Sequence, residues 1–96
     1  IVGGSPRYHR QLKELVNDRR IRLDLVPGNR RRTAAQARAD LLGSDVVILW
    51  GGTILDHSVS ELYKGTEVGR VMTIQHRGIA GMLLKAALEL ATIASR

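Results

Sequence analysis

The chain has no cysteine and no long apolar run, and these two absences limit what it can be. Without cysteine it can form neither disulfides nor thiolate metal sites. No apolar stretch approaches the roughly 20 residues that a membrane-spanning helix needs, so no membrane association is expected. A cytoplasmic protein is the resulting expectation.

Metal and cofactor signatures are also missing. The three histidines, His9, His57 and His76, have no short ligand spacing among themselves or with carboxylates. The glycines at 3–4 lack the spacing of a dinucleotide fingerprint and are followed by no Walker lysine. Only three aromatic residues are present, which argues against a platform that stacks the bases of a single strand. We predict no metal and no cofactor.

What the chain does contain is a regular alternation of short β-branched runs with helical stretches. The runs are Ile1–Val2, 22–26, 45–50 and Val71–Ile74. This spacing is typical of a mostly parallel sheet with helices on both faces. We predict a three-layer α/β/α fold, Rossmann-like or flavodoxin-like, with a four-stranded parallel sheet in the order 2-1-3-4.

The length of 96 residues predicts one domain covering residues 1–96. Because the chain begins inside an apparent strand, without methionine, we expect the natural protein to continue before Ile1.

Local signals place the helices. Ser5 and Pro6 suit the N-cap and first position of one helix, and Thr33 with Gln36 forms the pattern of a capping box. A third helix is expected to start at Asp56 or Ser58. The last helix is expected to run from about Ile79 to Ser95.

Parallel sheets bind ligands beyond the carboxyl ends of their strands, so the residues that follow each run are candidates for an anion or ligand site. His57 lies at the first turn of its helix, where it could face this crevice. The candidate ligand-binding residues are Gly3, Gly4, Ser5, Gly51, Gly52, Thr53, His57, Lys64, His76, Arg77 and Gly78.

The net charge of +6 is unevenly distributed, since ten of the fifteen basic residues lie before residue 49. Clustered arginines favour phosphate-bearing polyanions such as nucleic acid, although a basic surface without such a partner remains possible. The candidate nucleic-acid-binding residues are Arg19, Arg20, Arg30, Arg31 and Arg32. The last three precede a helix N-terminus, which itself favours anions.

The last helix carries more apolar residues than one sheet face can cover. Twelve of the sixteen residues from Ile79 to Ala94 are apolar. The surplus predicts a homodimer through this helix, or else a helix from an upstream region that covers it.

A series of short motifs resembles the uncharacterised bacterial domain of unknown function numbered 2325. The motifs are 1–4 with Tyr8, then 44–48, His57 with Lys64, and Arg77–Gly78 with a leucine-rich helix. The resemblance implies a small Rossmann-like or flavodoxin-like domain, often C-terminal in longer bacterial chains. It also implies that His57 and Lys64 occupy the family's His and Lys positions, and it carries no established activity.

Three functions remain open at this point. The first is a non-catalytic, basic, homodimeric binding module that contacts a nucleic-acid backbone. The second is a domain that binds a small phosphorylated ligand or nucleotide at the strand ends. The third is a dimerisation or docking domain of a larger bacterial protein. No catalytic constellation favours an enzyme. If catalysis did occur, His57 would act as general acid or base, with Lys64 and Arg77 stabilising anionic charge.

Overall fold

The computed structural model describes residues 1–16, 21–65 and 69–94. Within those ranges the chain forms four helices and two strands, a small mixed α/β domain. In chain order these elements are α1 (Pro6–Leu15), α2 (Ala34–Leu42), β1 (Val47–Trp50), α3 (His57–Lys64), β2 (Val71–Ile74) and α4 (Ile79–Ala94).

The predicted four-stranded Rossmann-like sheet in the order 2-1-3-4 is wrong. The only sheet in the described ranges pairs β1 with β2 in parallel, from Val47 opposite Val71 to Trp50 opposite Ile74. Val2 makes only isolated bridges, one to Val26 and one to Leu49. The first two expected strands are therefore absent as strands.

Glycine conformation explains why the first run does not become a strand. Gly3 and Gly4 directly follow Val2 and have φ values of 119° and 86°, which turn the backbone out of the extended conformation. The run 1–2 thus offers too few extended residues for a ladder. The segment before Val26 can pair only with that short run, and Pro27, which follows Val26, has no N–H to continue the pairing.

β1 explains how the core is organised, because its alternate side chains enter two separate hydrophobic clusters. Val47 and Leu49 pack with residues of α2 and α3, whereas Ile48 and Trp50 pack with residues of α1 and α4. All four side chains are buried, as expected for a strand covered on both faces. The helices thus lie on opposite faces of β1.

The caps of the first two helices form as predicted. The Ser5 side chain caps α1, with Pro6 at its first position. Thr33 and Gln36 each accept a hydrogen bond from the other's backbone N–H, which confirms the capping box of α2. Of the two predicted caps for α3, the structure has Asp56, which makes no side-chain capping bond.

Candidate functional site

Four loops meet at one end of the molecule, where the extended segments end. The extended segments are parallel to one another: β1 pairs with β2, and Val2 bridges to Val26 and to Leu49. The loops that follow these segments therefore all lie on the same side of the molecule. We call this side the carboxyl edge; it comprises residues 3–5, 27–30, 51–56 and 75–78.

Backbone hydrogen bonds hold these loops together. Gly4 N–H donates to Ile54 O at 3.0 Å, and Asp56 N–H donates to Gly28 O at 2.8 Å. The Trp50 indole Nε1–H donates to His76 O at 2.5 Å. These hydrogen bonds hold the turns of the edge in fixed positions relative to one another, which suits a binding surface better than independent loops would.

Two of the contacts require glycine. A Cβ on Gly28 would lie 1.8 Å from Ile54 O, and a Cβ on Gly52 would lie 2.4 Å from Gln75 O. Both distances are far below contact range, so any larger residue would push the loops apart. Gly52 thus has a packing role as well as its place at the edge.

The carboxyl edge contains an open groove of about 640 Å³, which is within the size range of small-molecule sites. Two elements far apart in sequence bring cations to it, Arg7 from α1 and Arg77 from the loop after β2. None of the described residues that line it is acidic. The lining residues are Ser5, Arg7, Tyr8, Gln11, Gly52, Thr53, Ile54 and Arg77.

The two groove arginines are free to meet an anion. Arg7 and Arg77 are both exposed, and neither forms an ion pair within the described ranges. The nearest acidic residue along the edge loops is Asp56, which is exposed but does not line the groove. The groove therefore has a local excess of positive charge.

The hydroxyl groups of the groove are held in different ways. Ser5 Oγ accepts the Tyr8 N–H at 3.4 Å, which leaves the hydroxyl proton of Ser5 available to a ligand. Thr53 Oγ1 donates its proton to Trp50 O at 3.0 Å, so its oxygen can only accept further bonds. Thr53 mainly fixes the loop, whereas Ser5 can donate to a phosphate oxygen.

Four of the predicted ligand-binding residues come together in the groove: Ser5, Gly52, Thr53 and Arg77. The N–H groups of the predicted glycines Gly3, Gly4 and Gly51 are already used, since they donate to Val26 O, Ile54 O and Ile74 O. They hold the loops in place and cannot cradle a phosphate through those N–H groups.

The remaining predicted ligand-binding residues lie outside the groove lining. His57 is 88% exposed, with Nε2 3.8 Å from Glu61 Oε1 on the same helix. Lys64 is exposed at the opposite end of α3. His76 is exposed, and its ring lies beside Gly81. Gly78 borders open space, because a Cβ added there would have no atom within 4 Å beyond its chain neighbours.

The predicted basic run divides into exposed and internal members. Arg30 and Arg31 are exposed, and Arg19 and Arg20 lie outside the described residues. Arg32 turns inward and donates to Asp40 Oδ2, which also accepts the Tyr63 hydroxyl at 2.5 Å. These three residues form a cluster that joins the loop before α2 to α2 and α3.

Charge and burial explain the pKa values in this cluster. Burial, together with the hydrogen bond to Asp40, raises the pKa of Tyr63 from 10.0 to about 12. Burial alone would lower the pKa of Arg32, but its hydrogen bonds with Asp40 and Tyr63 outweigh that effect and the pKa is raised. Arg32 is therefore a fixed structural cation, and it is not available to an external phosphate.

Alkaline pH is expected to destabilise the wild-type domain more than a Tyr63→Phe variant. In the unfolded chain Tyr63 loses its proton near pH 10.0, whereas in the folded domain it keeps it up to about pH 12. Between these values the unfolded state binds fewer protons, so the free energy of unfolding falls as pH rises, by up to about 1.4 kcal/mol per pH unit. Urea denaturation at increasing pH measures this loss. Equal losses in both proteins would show that Tyr63 does not contribute.

Sequence reasoning missed three groove residues on α1, namely Arg7, Tyr8 and Gln11. Arg7 and Gln11 are four residues apart and thus share one face of the helix, which is a signal that could have found them. It also missed His9, which is buried and whose Nε2 lies 2.7 Å from Gly3 O. His9 anchors α1 to the glycine turn.

No group of three or more histidine, aspartate or glutamate side chains in the described part of the chain could hold a metal ion. Nor does any helix there have the length and apolar character to cross a membrane.

Comparisons with known proteins give no relative. No family model, no curated protein and no solved structure matches this chain. The resemblance to the domain of unknown function numbered 2325 therefore stays a prediction.

Proposed function

We propose that this domain binds a small phosphate-bearing molecule in the groove at its carboxyl edge, without chemically changing it. The observation that carries the proposal is the convergence of Arg7 and Arg77 on one groove with no acidic residue among its described lining. Charge-assisted hydrogen bonds from arginine to phosphate are among the strongest that proteins make. Ser5 supports the same ligand, because its hydroxyl proton has no other partner in the described ranges.

Binding without catalysis fits the chemistry of the lining. A general base must lie within hydrogen-bond reach of the proton that it removes. The described lining residues include no histidine and no carboxylate. His57, the residue that sequence reasoning named for this role, does not line the groove, and its Nε2 lies 3.8 Å from Glu61 Oε1.

Replacing Arg77 with glutamine is expected to weaken binding of inorganic pyrophosphate about tenfold, because one charged contact is lost. Arg7→Gln is expected to have a similar effect. Isothermal titration at low salt measures both. Arg38→Gln is the matched control, because Arg38 is an exposed arginine on α2, outside the groove, and makes no ion pair in the described ranges. Equal loss in all three variants would mean a general charge effect and no groove site.

A nucleic-acid backbone is a second candidate ligand, favoured by the position of Arg30 and Arg31. Both are exposed, and they follow the Gly28 turn that is hydrogen-bonded to Asp56. They therefore extend the positive charge of the carboxyl edge beyond the groove, over a surface that a duplex could contact.

Duplex DNA is expected to bind weakly, with little sequence preference and a steep dependence on salt. A double Arg30→Ala, Arg31→Ala variant is expected to reduce the slope of log affinity against log salt by about 2, since each phosphate contact contributes about 0.9. Arg32 is left intact because it is needed internally. The charge-matched control is Arg38→Ala with Lys85→Ala. If the wild type binds no duplex at low salt, this candidate is excluded.

For assembly we propose a homodimer through the outer face of α4. Leu84 and Leu88, four residues apart, are 63% and 61% exposed, and the exposed Ala80 continues their stripe. Large exposed apolar side chains in one stripe are typical of an interface. A cytoplasmic location stays a prediction beside these proposals.

A further inference from the structure

We propose that the ligand of the groove is a nucleotide, with its base stacked on Tyr8, the edge of the base at Gln11 and its phosphate at Arg7, Arg77 and Ser5. This inference rests on the proposed function, which accounts for the phosphate of the ligand; the inference identifies the remaining part as a nucleoside.

The first observation is the fixed position of the Tyr8 ring. Tyr8 lines the groove and is half-buried, with its ring packed against Trp50 at a centroid distance of 5.2 Å and an interplanar angle of 40°. Trp50 is fully buried and is itself held by its hydrogen bond to His76 O. The contact with Trp50 therefore restricts the Tyr8 ring, so a base that stacks on it meets a ring already in place.

The second observation is the neighbouring amide. Gln11 lies three residues after Tyr8, on the same side of α1, and also lines the groove. Its side chain is half-buried and makes no hydrogen bond within the described ranges. An amide carries both a donor and an acceptor, the combination that pairs with the edge of a base such as adenine.

The arrangement of charge completes the assignment. Tyr8 and Gln11 on α1 line the same groove as two cations, Arg7 on α1 and Arg77 from the loop after β2. A molecule with a flat polar ring at one end and a phosphate at the other uses the ring, the amide and the cations together. A bare phosphate or a sugar phosphate leaves the Tyr8 ring and the Gln11 amide unused. Among the described lining residues Tyr8 is the one aromatic side chain, which fits one base and not a strand of several bases.

The test compares adenosine monophosphate with ribose 5-phosphate, which has the same sugar and phosphate but no base. We expect the wild-type domain to bind adenosine monophosphate about tenfold more tightly, because stacking of one base on an aromatic ring is worth about 1–3 kcal/mol, or roughly 5- to 150-fold. Tyr8→Leu is expected to remove most of the difference while keeping the affinity for ribose 5-phosphate, since only the Gln11 contact with the base remains. Tyr8→Phe is expected to retain the difference, because the ring is kept.

The outcomes separate this inference from the proposed function. If both compounds bind the wild type equally, the nucleotide assignment is overturned and the phosphate groove stands. If neither binds, the phosphate groove fails as well. Retained binding of ribose 5-phosphate by Tyr8→Leu shows that the variant is folded. If Tyr8→Leu prefers adenosine monophosphate as strongly as the wild type does, Tyr8 is not the stacking residue and the inference fails.

Discussion

Replacing Asp40 with alanine is expected to lower the free energy of unfolding by about 3 kcal/mol, because it leaves a mostly buried arginine without its anion. The side chain of Arg32 is only 15% exposed, and its Nε is buried with no hydrogen-bond partner. Tyr63, which is fully buried, would lose its acceptor at the same time. For a domain of this size that loss is a large fraction of the total stability. Chemical denaturation measures it from the shift in midpoint.

Asp24→Ala is the matched control for this prediction. Asp24 also pairs with an arginine, Arg22, at 2.9 Å, but the two side chains are 61% and 80% exposed. An exposed pair of this kind is expected to contribute less than about 1 kcal/mol. Asp40→Asn is expected to be intermediate, because it keeps an acceptor for Tyr63 and loses only the charge. If Asp40→Ala is no more harmful than Asp24→Ala, the cluster does not stabilise the fold.

Lysine is expected to have different effects at two positions of α4: at one it unfolds the domain, and at the other it prevents dimer formation. Met82→Lys is expected to unfold the domain, because Met82 is fully buried among residues of α1, β1 and β2. A buried charge without a partner costs several kcal/mol, on the order of the whole stability of a small domain. Leu88→Lys is expected to leave the fold intact and to give monomers, since Leu88 is 61% exposed on a different face of the helix. Circular dichroism and light scattering measure the two effects.

Leu84→Lys is expected to behave like Leu88→Lys, because Leu84 belongs to the same exposed stripe. A Lys85→Glu variant controls for charge changes on that face. If the unmutated domain is monomeric at high concentration, the homodimer is refuted. If Leu88→Lys unfolds the domain, the burial described for α4 is wrong.

Local sequence signals predicted the local structure well. The capping box of Thr33 and Gln36 depends only on residues three apart, so its pattern could be read directly. The apolar run before Gly51 likewise predicted a buried parallel strand, which the structure has as β1 beside β2; its predicted place in the middle of a four-stranded sheet is wrong. Both are decided by neighbours within one element.

The extent of the sheet could not be predicted in this way. Gly3 and Gly4 were interpreted as the end of a strand and the start of a ligand loop. Their positive φ values instead turn the chain so early that Val2 forms only bridges. Neither a count of β-branched residues nor helix spacing reports the φ angle of a particular glycine.

The sequence pattern predicted where the candidate site lies, but it predicted only some of the residues that line the groove. The carboxyl edge and Arg77 followed from the order of strands and loops. The roles of Arg32 and Gln11 did not, because they depend on packing between distant segments. A run of three arginines gives no sign that Arg32 faces Asp40 and Tyr63 while Arg30 and Arg31 face solvent.

The most direct test of the phosphate groove is a titration of the ¹⁵N-labelled domain with pyrophosphate, followed by amide NMR shifts. Binding in the groove is expected to shift the amides of Ser5, Arg7, Gly52, Thr53 and Arg77 and to leave those of α2 unchanged. Absence of shifts at the groove, or shifts confined to Arg30 and Arg31, would contradict a phosphate site there.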